Sequence, residues 1–511
     1  KESIRDLKAG NVLLVAGKGH EKSQDFGKKK INFSDRKIIL NEIRIKNKNL
    51  LSSLKINVIK EVSGKKKLPS LIKFNYARIN SKEISKNDVF FAIKGKKNDG
   101  NKFVAQSFKK KASLAIVNKI QNKLKINRQI KVKNTLKFLT DISKIFREII
   151  DTKIIGITGS CGKTTLKELL GNVLGKISKV SISPKSYNNK YGVPLSLLNL
   201  KERDKYGILE VGMDKKGEID YLTNIIQPDV GVITNINYAH AKNFKSLKQI
   251  ALAKSEIINN IRPNGFIVLN ADDDFYRLHT KIALKKNIKV ISFGIKSKRA
   301  KAKLLSIKNI GKKYLANIRL GNKKKYFFLS NNFKNNIYNM LCSLALLSIN
   351  EDIFKLSINT FLNFKTPKGR GDFSKIKVYN KKINLIDESY NSNPLSLKSA
   401  IENYHKIDTK NSQKVLLLGD MLELGKHSKK LHHFIAPLVN KTNIDKVHVI
   451  GKSVSLIFKN FLKYKKGKIF KKKKEIIEMI KKDLNNNDYL MIKASNATGL
   501  NKIVESLKGY N

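Results

Sequence analysis

Tryptophan is absent from this chain and acidic residues are scarce: 40 Asp and Glu stand against 105 Lys and Arg, a formal charge of +65 over 511 residues. Cysteine occurs only as Cys161 and Cys342. Two thiols make neither a disulfide framework nor a soft-metal cluster, and a reducing cytoplasm fits that usage. Long apolar runs are missing too. A membrane span needs about 18 apolar residues, whereas the best run, Met340 to Ile349, is roughly half that length and carries Ser343. The opening Lys1 to Gly10 is charged and lacks a signal-peptide core. Stable membrane insertion is not expected.

Such an excess of positive charge draws polyanions at low salt. The lysines are nevertheless scattered, with short runs at Lys65 to Lys67, Lys109 to Lys111, Lys323 to Lys325 and Lys471 to Lys474. Isoleucine and asparagine are abundant as well. The pattern reads as a compositional bias that places lysine at solvated positions, and it predicts no specific nucleic-acid partner.

At this length, about three domains are expected. Residues 1–45 form a short opening block, with a buried strand over Asn11 to Ala16 and a short helical stretch entered at Phe33-Ser-Asp-Arg36. One strand and one helix cannot bury a core of their own. Residues 46–69 read as a linker leading into the next domain. Over residues 70–133, strands at Val89 to Ile93 and Ala112 to Val117 flank a helical stretch, Lys102 to Lys111, giving a small α/β unit. Residues 134–364 continue with a helix at Thr140 to Ile150, then strands at Tyr206 to Val211, Asp229 to Thr234 and Phe266 to Asn270. A helical Leu247 to Ile261, a strand-like Ile307 to Leu329 and a helix at Ile337 to Ser348 complete that block. After Pro367-Lys-Gly-Arg-Gly371, residues 365–511 carry strands at Lys414 to Leu418, Lys446 to Ile450 and Tyr489 to Lys493. Short apolar strands alternating with helices imply a mostly parallel sheet covered on both faces.

The densest chemical signal is Ile154-Ile-Gly-Ile-Thr-Gly-Ser-Cys-Gly-Lys-Thr-Thr165, a β-branched run entering a glycine- and hydroxyl-rich loop before a helix. Glycines let backbone N–H groups converge on anionic oxygens, the helix terminus adds its dipole, Lys163 adds a charge, and a threonine hydroxyl can ligate magnesium. The spacing departs from the usual P-loop, because Ile157 stands five positions before Gly162. ATP binding is the expectation.

Glu210 and His240 follow strand ends, where an open α/β sheet binds its ligands. They could hold a divalent ion or orient a phosphate; an ordinary surface glutamate and histidine would read the same way. Lys254 sits in the apolar helical stretch Gln249 to Ile258. Burial there demands pairing or chemical change, the alternative being a lysine that snorkels to solvent.

Thr158-Gly-Ser-Cys-Gly-Lys-Thr-Thr165, Glu210-Val-Gly212 with Gly217-Glu-Ile219, Asn235 to His240, and Ala253-Lys-Ser-Glu256 resemble, in that order, the Mur ligases. Asp387-Glu-Ser-Tyr-Asn-Ser-Asn-Pro394 and Gly419-Asp-Met-Leu-Glu-Leu-Gly425 resemble the branch of that family that adds D-alanyl-D-alanine. With Asp88 to Gly95 and Asp99-Gly100, the resemblance covers about residues 55 to 511. It implies an α/β protein of three domains: a small nucleotide-sugar-binding N-terminal domain, a central P-loop ATPase domain and a C-terminal Rossmann-like domain. It also implies a monomer that uses ATP and two magnesium ions to join D-Ala-D-Ala to UDP-MurNAc-tripeptide through an acyl phosphate.

Carried over residue by residue, the resemblance gives the phosphate cradle as Thr158, Gly159, Ser160, Cys161, Gly162, Lys163, Thr164 and Thr165. Thr164, Glu210, His240 and a carbamylated Lys254 become the metal-side groups. Asn336 and Asn339 lie by the adenine, and Arg370 and Asp387 approach the nucleotide from the C-terminal domain. Lys163, Lys254, His240 and Arg370 are the implied catalytic groups, and Ser81, Asn391, Asn393 and Ser396 the substrate contacts. Two departures stand out: Asn80-Ser-Lys82 replaces the family's Asp-Ser-Arg, and Asn335 replaces a histidine.

The opening block has a resemblance of its own. Leu13-Leu-Val-Ala-Gly-Lys-Gly-His-Glu21 with Phe33-Ser-Asp-Arg36 is similar to the C-terminal end of the family's meso-diaminopimelate-adding branch, with Gly17 and Glu21 at positions that read that amino acid. Because the chain starts with lysine, a fused or read-through pair of adjacent genes, truncated in the upstream one, is the expectation. An accessory docking element is the alternative. Two other functions compete with the whole reading: a related ligase with another acceptor, such as folylpolyglutamate synthase, and a polyanion-binding protein with a vestigial ATPase core.

Overall fold

The computed structural model describes every residue except 1, 8–10, 17–22, 26, 28–29, 33, 66–67, 70–71, 96–97, 202–203, 379, 410–411 and 510–511. The chain divides into two compact units. One comprises Lys1–Thr152 with Pro194–Asp204, and the other Lys153–Val193 with Lys205–Asn511.

The first unit contains a four-stranded parallel sheet: β1 (Ala77–Arg78), β2 (Val89–Phe91), β3 (Leu114–Val117) and β4 (Gln129–Lys131), in that order. Phe90, Ala92, Ala115 and Val117 form its small core with Val104. Two helices pack together beside it, α1 (Asp35–Ser63) and α2 (Thr135–Ile149). Helix α2 is well patterned, burying Phe138, Leu139, Ile142 and Phe146 at helical spacing, with Asn134 accepting from Lys137 N as its cap.

Two expectations fail here. Residues 46–69 are not a linker, because α1 runs unbroken through them to Ser63, far longer than a short helical stretch. Asn11 to Ala16 is not a buried strand: it is outside any ladder, with Val12 94% and Leu14 87% exposed. An apolar run makes a strand only where a neighbouring strand accepts its hydrogen bonds, and the nearby hairpin Ser23–Asp25 with Lys30–Asn32 pairs only with itself. Gly17, Glu21 and Phe33 lie outside the described residues.

The second unit holds two sheets. The larger contains β5 (Lys153–Thr158), β6 (Val180–Ile182), β7 (Tyr206–Glu210), β8 (Val230–Ile233), β9 (Phe266–Asn270), β10 (Lys289–Gly294), β11 (Ala302–Ile310), β12 (Lys313–Leu320) and β13 (Lys323–Leu329), ordered β13-β12-β11-β10-β9-β8-β5-β7-β6. Strands β6 to β11 and β5 run parallel, but β12 and β13 are antiparallel additions, so the sheet is mixed. Lys323 and Lys324 stand exposed on the edge strand β13. The second sheet orders β14 (Asp372–Val378), β15 (Lys381–Glu388), β19 (Tyr489–Lys493), β16 (Lys414–Gly419), β17 (Lys446–Ile450) and β18 (Lys466–Phe470), all parallel except the edge strand β14.

In the larger sheet the chain passes from β5 outward to β6, returns to β7, and then crosses to β8 on the other side of β5. That reversal opens a crevice beyond the carboxyl end of β5, where ligands of such sheets bind. Helix α3 (Lys163–Leu174) leaves β5 there, burying Leu166, Leu169, Leu170, Val173 and Leu174 against the sheet core and α4 (Lys334–Leu347).

In the first unit, Lys55 of α1 is 3% exposed, donates to the Leu200 carbonyl at 3.2 Å, and faces the rings of Phe74 and Phe146. Burial pushes its ammonium down to about 7 from 10.5, although Asp204 favours the charged form. The unfolded chain therefore binds the additional proton between those values. Stability should rise with pH across that window, by at most about 1.4 kcal/mol per pH unit for this group, and gain nothing from it below the folded-state value. Urea midpoints taken from about pH 7 to about pH 10 should climb, and Lys55→Met should flatten the climb by one proton's worth. An unchanged slope in the variant would assign the effect elsewhere.

Candidate active site

The loop after β5 is shaped by two glycines. Gly159 has φ +142°, and a Cβ there would fall on Thr234 Oγ1; Gly162 has φ +83° and leads into α3. No side chain caps α3, so its first-turn N–H groups remain open to an anion. The loop is pinned from behind by the segment after β8. Asn235 accepts from Ser160 N at its carbonyl (2.9 Å) and from Cys161 N at its side chain (3.0 Å). Ser160 Oγ donates to the Asn237 carbonyl at 2.8 Å and Thr234 Oγ1 to that of Cys161 at 2.6 Å. Lys163 Nζ rests on the Gly159 carbonyl at 2.9 Å. Burial, together with the Arg370 charge, holds its pKa below the ordinary lysine value, while Glu210 pulls the other way. Thr158 Oγ1 is buried without a partner and Thr165 is buried in the first turn of α3.

In the first turn of α3, Thr164 Oγ1 donates to Glu210 Oε2 at 2.7 Å, and Asn188 Nδ2 donates to Glu210 Oε1 at 2.8 Å. A threonine hydroxyl beside a buried carboxylate is a hard-oxygen set that suits Mg²⁺. Among the described residues, no three His, Cys, Asp or Glu side chains cluster as a metal site. A magnesium ion here would therefore draw on Thr164, Glu210 and ligand oxygens.

Lys254 lies in α5 (Leu247–Ser255) and is 2% exposed, so the snorkelling alternative fails. Its pKa is pushed well below the usual lysine range, first by burial and then by the Lys163 charge. Burial beside a second lysine disfavours the ammonium form of Lys254.

His240 follows β8 and meets carboxylates from two other segments. Its Nδ1 is 2.7 Å from Glu423 Oε2 and 3.7 Å from Asp214, in poor hydrogen-bond alignment, on a left-handed backbone (φ 54°). The close contact with His240, and then the Lys242 charge, hold the Glu423 carboxyl below its ordinary value. Glu423 belongs to the Gly419 to Gly425 motif, so that motif reaches the central sheet through this histidine; Lys242 N also donates to the Glu423 carbonyl at 2.9 Å.

From the C-terminal sheet, Arg370 stacks on the Tyr390 ring at 4.2 Å, and its charge is felt by Lys163. Cys161 Sγ contacts Asn393 Oδ1 at 3.0 Å. Asn393 and Ser396, expected at the substrate, form the capping box of α6 (Pro394–Lys406), each side chain accepting from the other's backbone N–H. The backbone carbonyl of Asn391 accepts from the buried Lys493 at 2.8 Å, and Lys493 also pairs with Glu388 at 3.0 Å. Asp387 is held by Ser389 Oγ (2.6 Å) and Lys508 (3.3 Å). A pocket beside α4 is lined by Asn331, Asn336, Asn339, Met340, Phe361 and Phe364 among others, joining the two predicted asparagines to an aromatic wall. Ser81 lies in the first unit, donating to Gln106 Oε1 at 2.7 Å.

Sequence reasoning missed Thr234, Asn188, Glu423 and Lys493 as parts of this site. Only Asn235 to His240 as a motif, and Glu423 and Asn393 within theirs, signalled it.

Gly159→Ala should abolish nucleotide binding, since the new Cβ meets Thr234 at a backbone angle that alanine resists. Calorimetric titration with ATP should show affinity falling at least about 100-fold while the circular dichroism spectrum is retained. Near-normal binding would mean that the loop relaxes and does not act as a phosphate cradle.

A family model for the Mur ligase middle domain matches residues 157–347, and one for the Mur ligase glutamate ligase domain matches residues 373–496. A UDP-N-acetylmuramoyl-tripeptide–D-alanyl-D-alanine ligase from Rickettsia prowazekii is 32% identical over 440 residues, 84% of this chain and 94% of that protein. The enzyme of that name from Buchnera aphidicola (from Acyrthosiphon pisum) is 34% identical over 436 residues, 84% of this chain and 92% of its own length. The crystal structure of MurF from Acinetobacter baumannii gives a TM-score of 0.76 at 26% identity, over 89% of this chain and 98% of that one. MurF from Thermotoga maritima, solved in complex with ADP, shares the fold at a TM-score of 0.71 and 24% identity, over 85% of this chain and 97% of that one. With its phosphate loop, buried lysine and C-terminal motifs in the same order, this chain belongs to the Mur ligase family, among the UDP-N-acetylmuramoyl-tripeptide–D-alanyl-D-alanine ligases.

Proposed function

We propose that this protein joins D-alanyl-D-alanine to UDP-MurNAc-tripeptide at the expense of ATP, forming the pentapeptide precursor of peptidoglycan. The observation that carries the reading is the likeness to two ligases of that name, each extending over 84% of the chain. The pinned phosphate loop supplies the chemistry it requires.

A carboxylate and an amine do not condense unaided in water. The terminal carboxylate oxygen of the tripeptide attacks the γ-phosphorus of ATP, and the bond to ADP breaks. The dipeptide amine then attacks the carbonyl carbon of the acyl phosphate and loses a proton. The C–O bond to phosphate breaks as the amide forms. Each step brings anions together, so the chain's own cations have the central task. Lys163 and the open N–H groups of α3 hold the phosphates. Arg370, rigid on the Tyr390 ring, adds charge from the C-terminal side. Magnesium, when bound, neutralises phosphate charge and polarises the phosphoryl group. Thr164 and Glu210 would hold it, with His240 as a further group on that side.

Lys254 serves best as a carbamate. Its neutral amine attacks carbon dioxide, an N–C bond forms and a proton leaves, so a buried cation is replaced by an anion facing Lys163. Asn336 and Asn339 would meet the adenine in the pocket beside α4, and Asn391 would sit near the dipeptide. Ser81 would contact the nucleotide sugar.

Residues 1–45 resemble the end of the diaminopimelate-adding ligase. That resemblance favours meso-diaminopimelate as the third residue of the tripeptide. A chain beginning at Asp35, which preserves all of α1, should turn over within about twofold of the whole protein. A loss of tenfold or more would assign the removed residues a docking role.

ADP and phosphate should appear only when the tripeptide nucleotide and D-Ala-D-Ala are both present, with the pentapeptide detected by mass spectrometry. Equal turnover with a single amino acid would overturn the assignment of acceptor. Lys254→Ala should lose at least about 100-fold in kcat, and added short carboxylates should restore part of it where bicarbonate does not. A nearly normal rate would exclude the carbamate.

A further inference from the structure

Three parts of the site converge on residues 183–189, the loop that follows β6. From α3, the Lys167 side chain is completely inaccessible and donates to the backbone carbonyls of Ser183 and Lys185, with Glu168 3.3 Å away as counter-ion. From β7, Glu210 N donates to Ser183 Oγ at 3.2 Å, and Glu210 accepts from Asn188 as described. From the C-terminal sheet, Tyr390 Oη donates to Ser186 Oγ at 2.7 Å, and Arg370 Nη2 reaches the same oxygen at 3.4 Å.

The loop itself is tight. Tyr187 N donates to the Pro184 carbonyl at 3.0 Å and Asn188 N to that of Ser186 at 2.8 Å. Lys185 has φ 47°, a left-handed backbone that a non-glycine residue keeps only when its surroundings hold it. Tyr187 alone therefore separates the hydroxyl that receives the C-terminal domain from the amide that orients Glu210. Without the Lys167 ammonium, the buried Ser183 carbonyl and the partly buried Lys185 carbonyl would lose this donor, and the turn would lose its anchor on α3.

We propose that Lys167 is a positioning residue for the ligase reaction: it fixes the loop through which docking of Arg370 and Tyr390 on Ser186 is coupled to the orientation of Glu210 by Asn188. The proposal rests on the ligase reading of the site. The Lys167 ammonium is enclosed and engaged by the two loop carbonyls, so its effect belongs to the assembled state and not to nucleotide affinity. Ser186 and Lys167 act on one element, so their removal cannot be independent.

The full-length protein is assayed with ATP, UDP-MurNAc-tripeptide and D-Ala-D-Ala as wild type, Lys167→Met, Ser186→Ala and the double variant. Lys167→Met should lower kcat about 10- to 100-fold while the KM for ATP moves less than about threefold. Ser186→Ala should cost about three- to tenfold alone and almost nothing more beside Lys167→Met. Hydrogen exchange, read without substrates, should quicken at residues 183–189 in Lys167→Met and stay unchanged in the second half of α3. Multiplicative losses, a KM for ATP that rises as far as kcat falls, or unchanged exchange would each overturn the proposal. Should Lys167→Met fail to fold, Ser186→Ala and Tyr390→Phe form a second cycle. Additive losses there, or none, would overturn the coupling. A wild type that forms no pentapeptide would refute the ligase reading, and the exchange measurement would still decide the anchoring role of Lys167.

Discussion

Uncompensated positive charge around one loop is the constraint on which this site depends. Burial first, and then a neighbouring cation, lowers the pKa of two lysines here: Lys163 adds to the effect on Lys254, and Arg370 to that on Lys163. Cys161 feels Lys163, Lys493 and Lys254 at once. Against these stands Glu210, already engaged by Thr164 and Asn188. Such a site is at odds with itself until an anion arrives, and the energy of that mismatch favours polyphosphate binding and a modified Lys254 together.

The fold brings the charges to one place by ordinary means. The strand reversal around β5 puts the phosphate loop, the end of β7 and the segment after β8 side by side. The C-terminal sheet contributes Arg370 from just ahead of β14 and Glu388 and Lys493 from the ends of β15 and β19. Parallel strands all point their carboxyl ends the same way, so loops remote in sequence become neighbours. Hydrogen bonds spanning long separations, such as Cys161 with Asn393, follow from that geometry.

Much of this was legible in the residues. Phe266–Asn270, Lys446–Ile450 and Tyr489–Lys493 are strands to the residue, because a strand buried on both faces reads as an unbroken apolar run. The apolar helix around Lys254 left burial and snorkelling both open, and the lysine is buried. The failures have physical causes as well. Asn11 to Ala16 carries the apolar signal of a strand, but pairing is a property of neighbours that the run does not contain. Helix α1 was hidden because its apolar residues do not keep to one face, leaving Leu40 and Leu50 exposed. Asn393 and Ser396 looked like substrate contacts, whereas an asparagine followed three residues later by serine, with proline between, is also a helix start. The partnership of His240 with Glu423 joins residues 183 positions apart, beyond the reach of any local pattern.

The antiparallel strands β12 and β13 end the larger sheet on an open ladder edge, with Lys323 and Lys324 exposed along it. An open edge is a template on which another chain can add its own strand, and a row of like charges repels a second copy of the same row. A drift toward lysine that contributes nothing to catalysis thus guards against edge-to-edge aggregation where this fold is most vulnerable to it. The protection is electrostatic, so it weakens as the ionic strength of the surroundings rises.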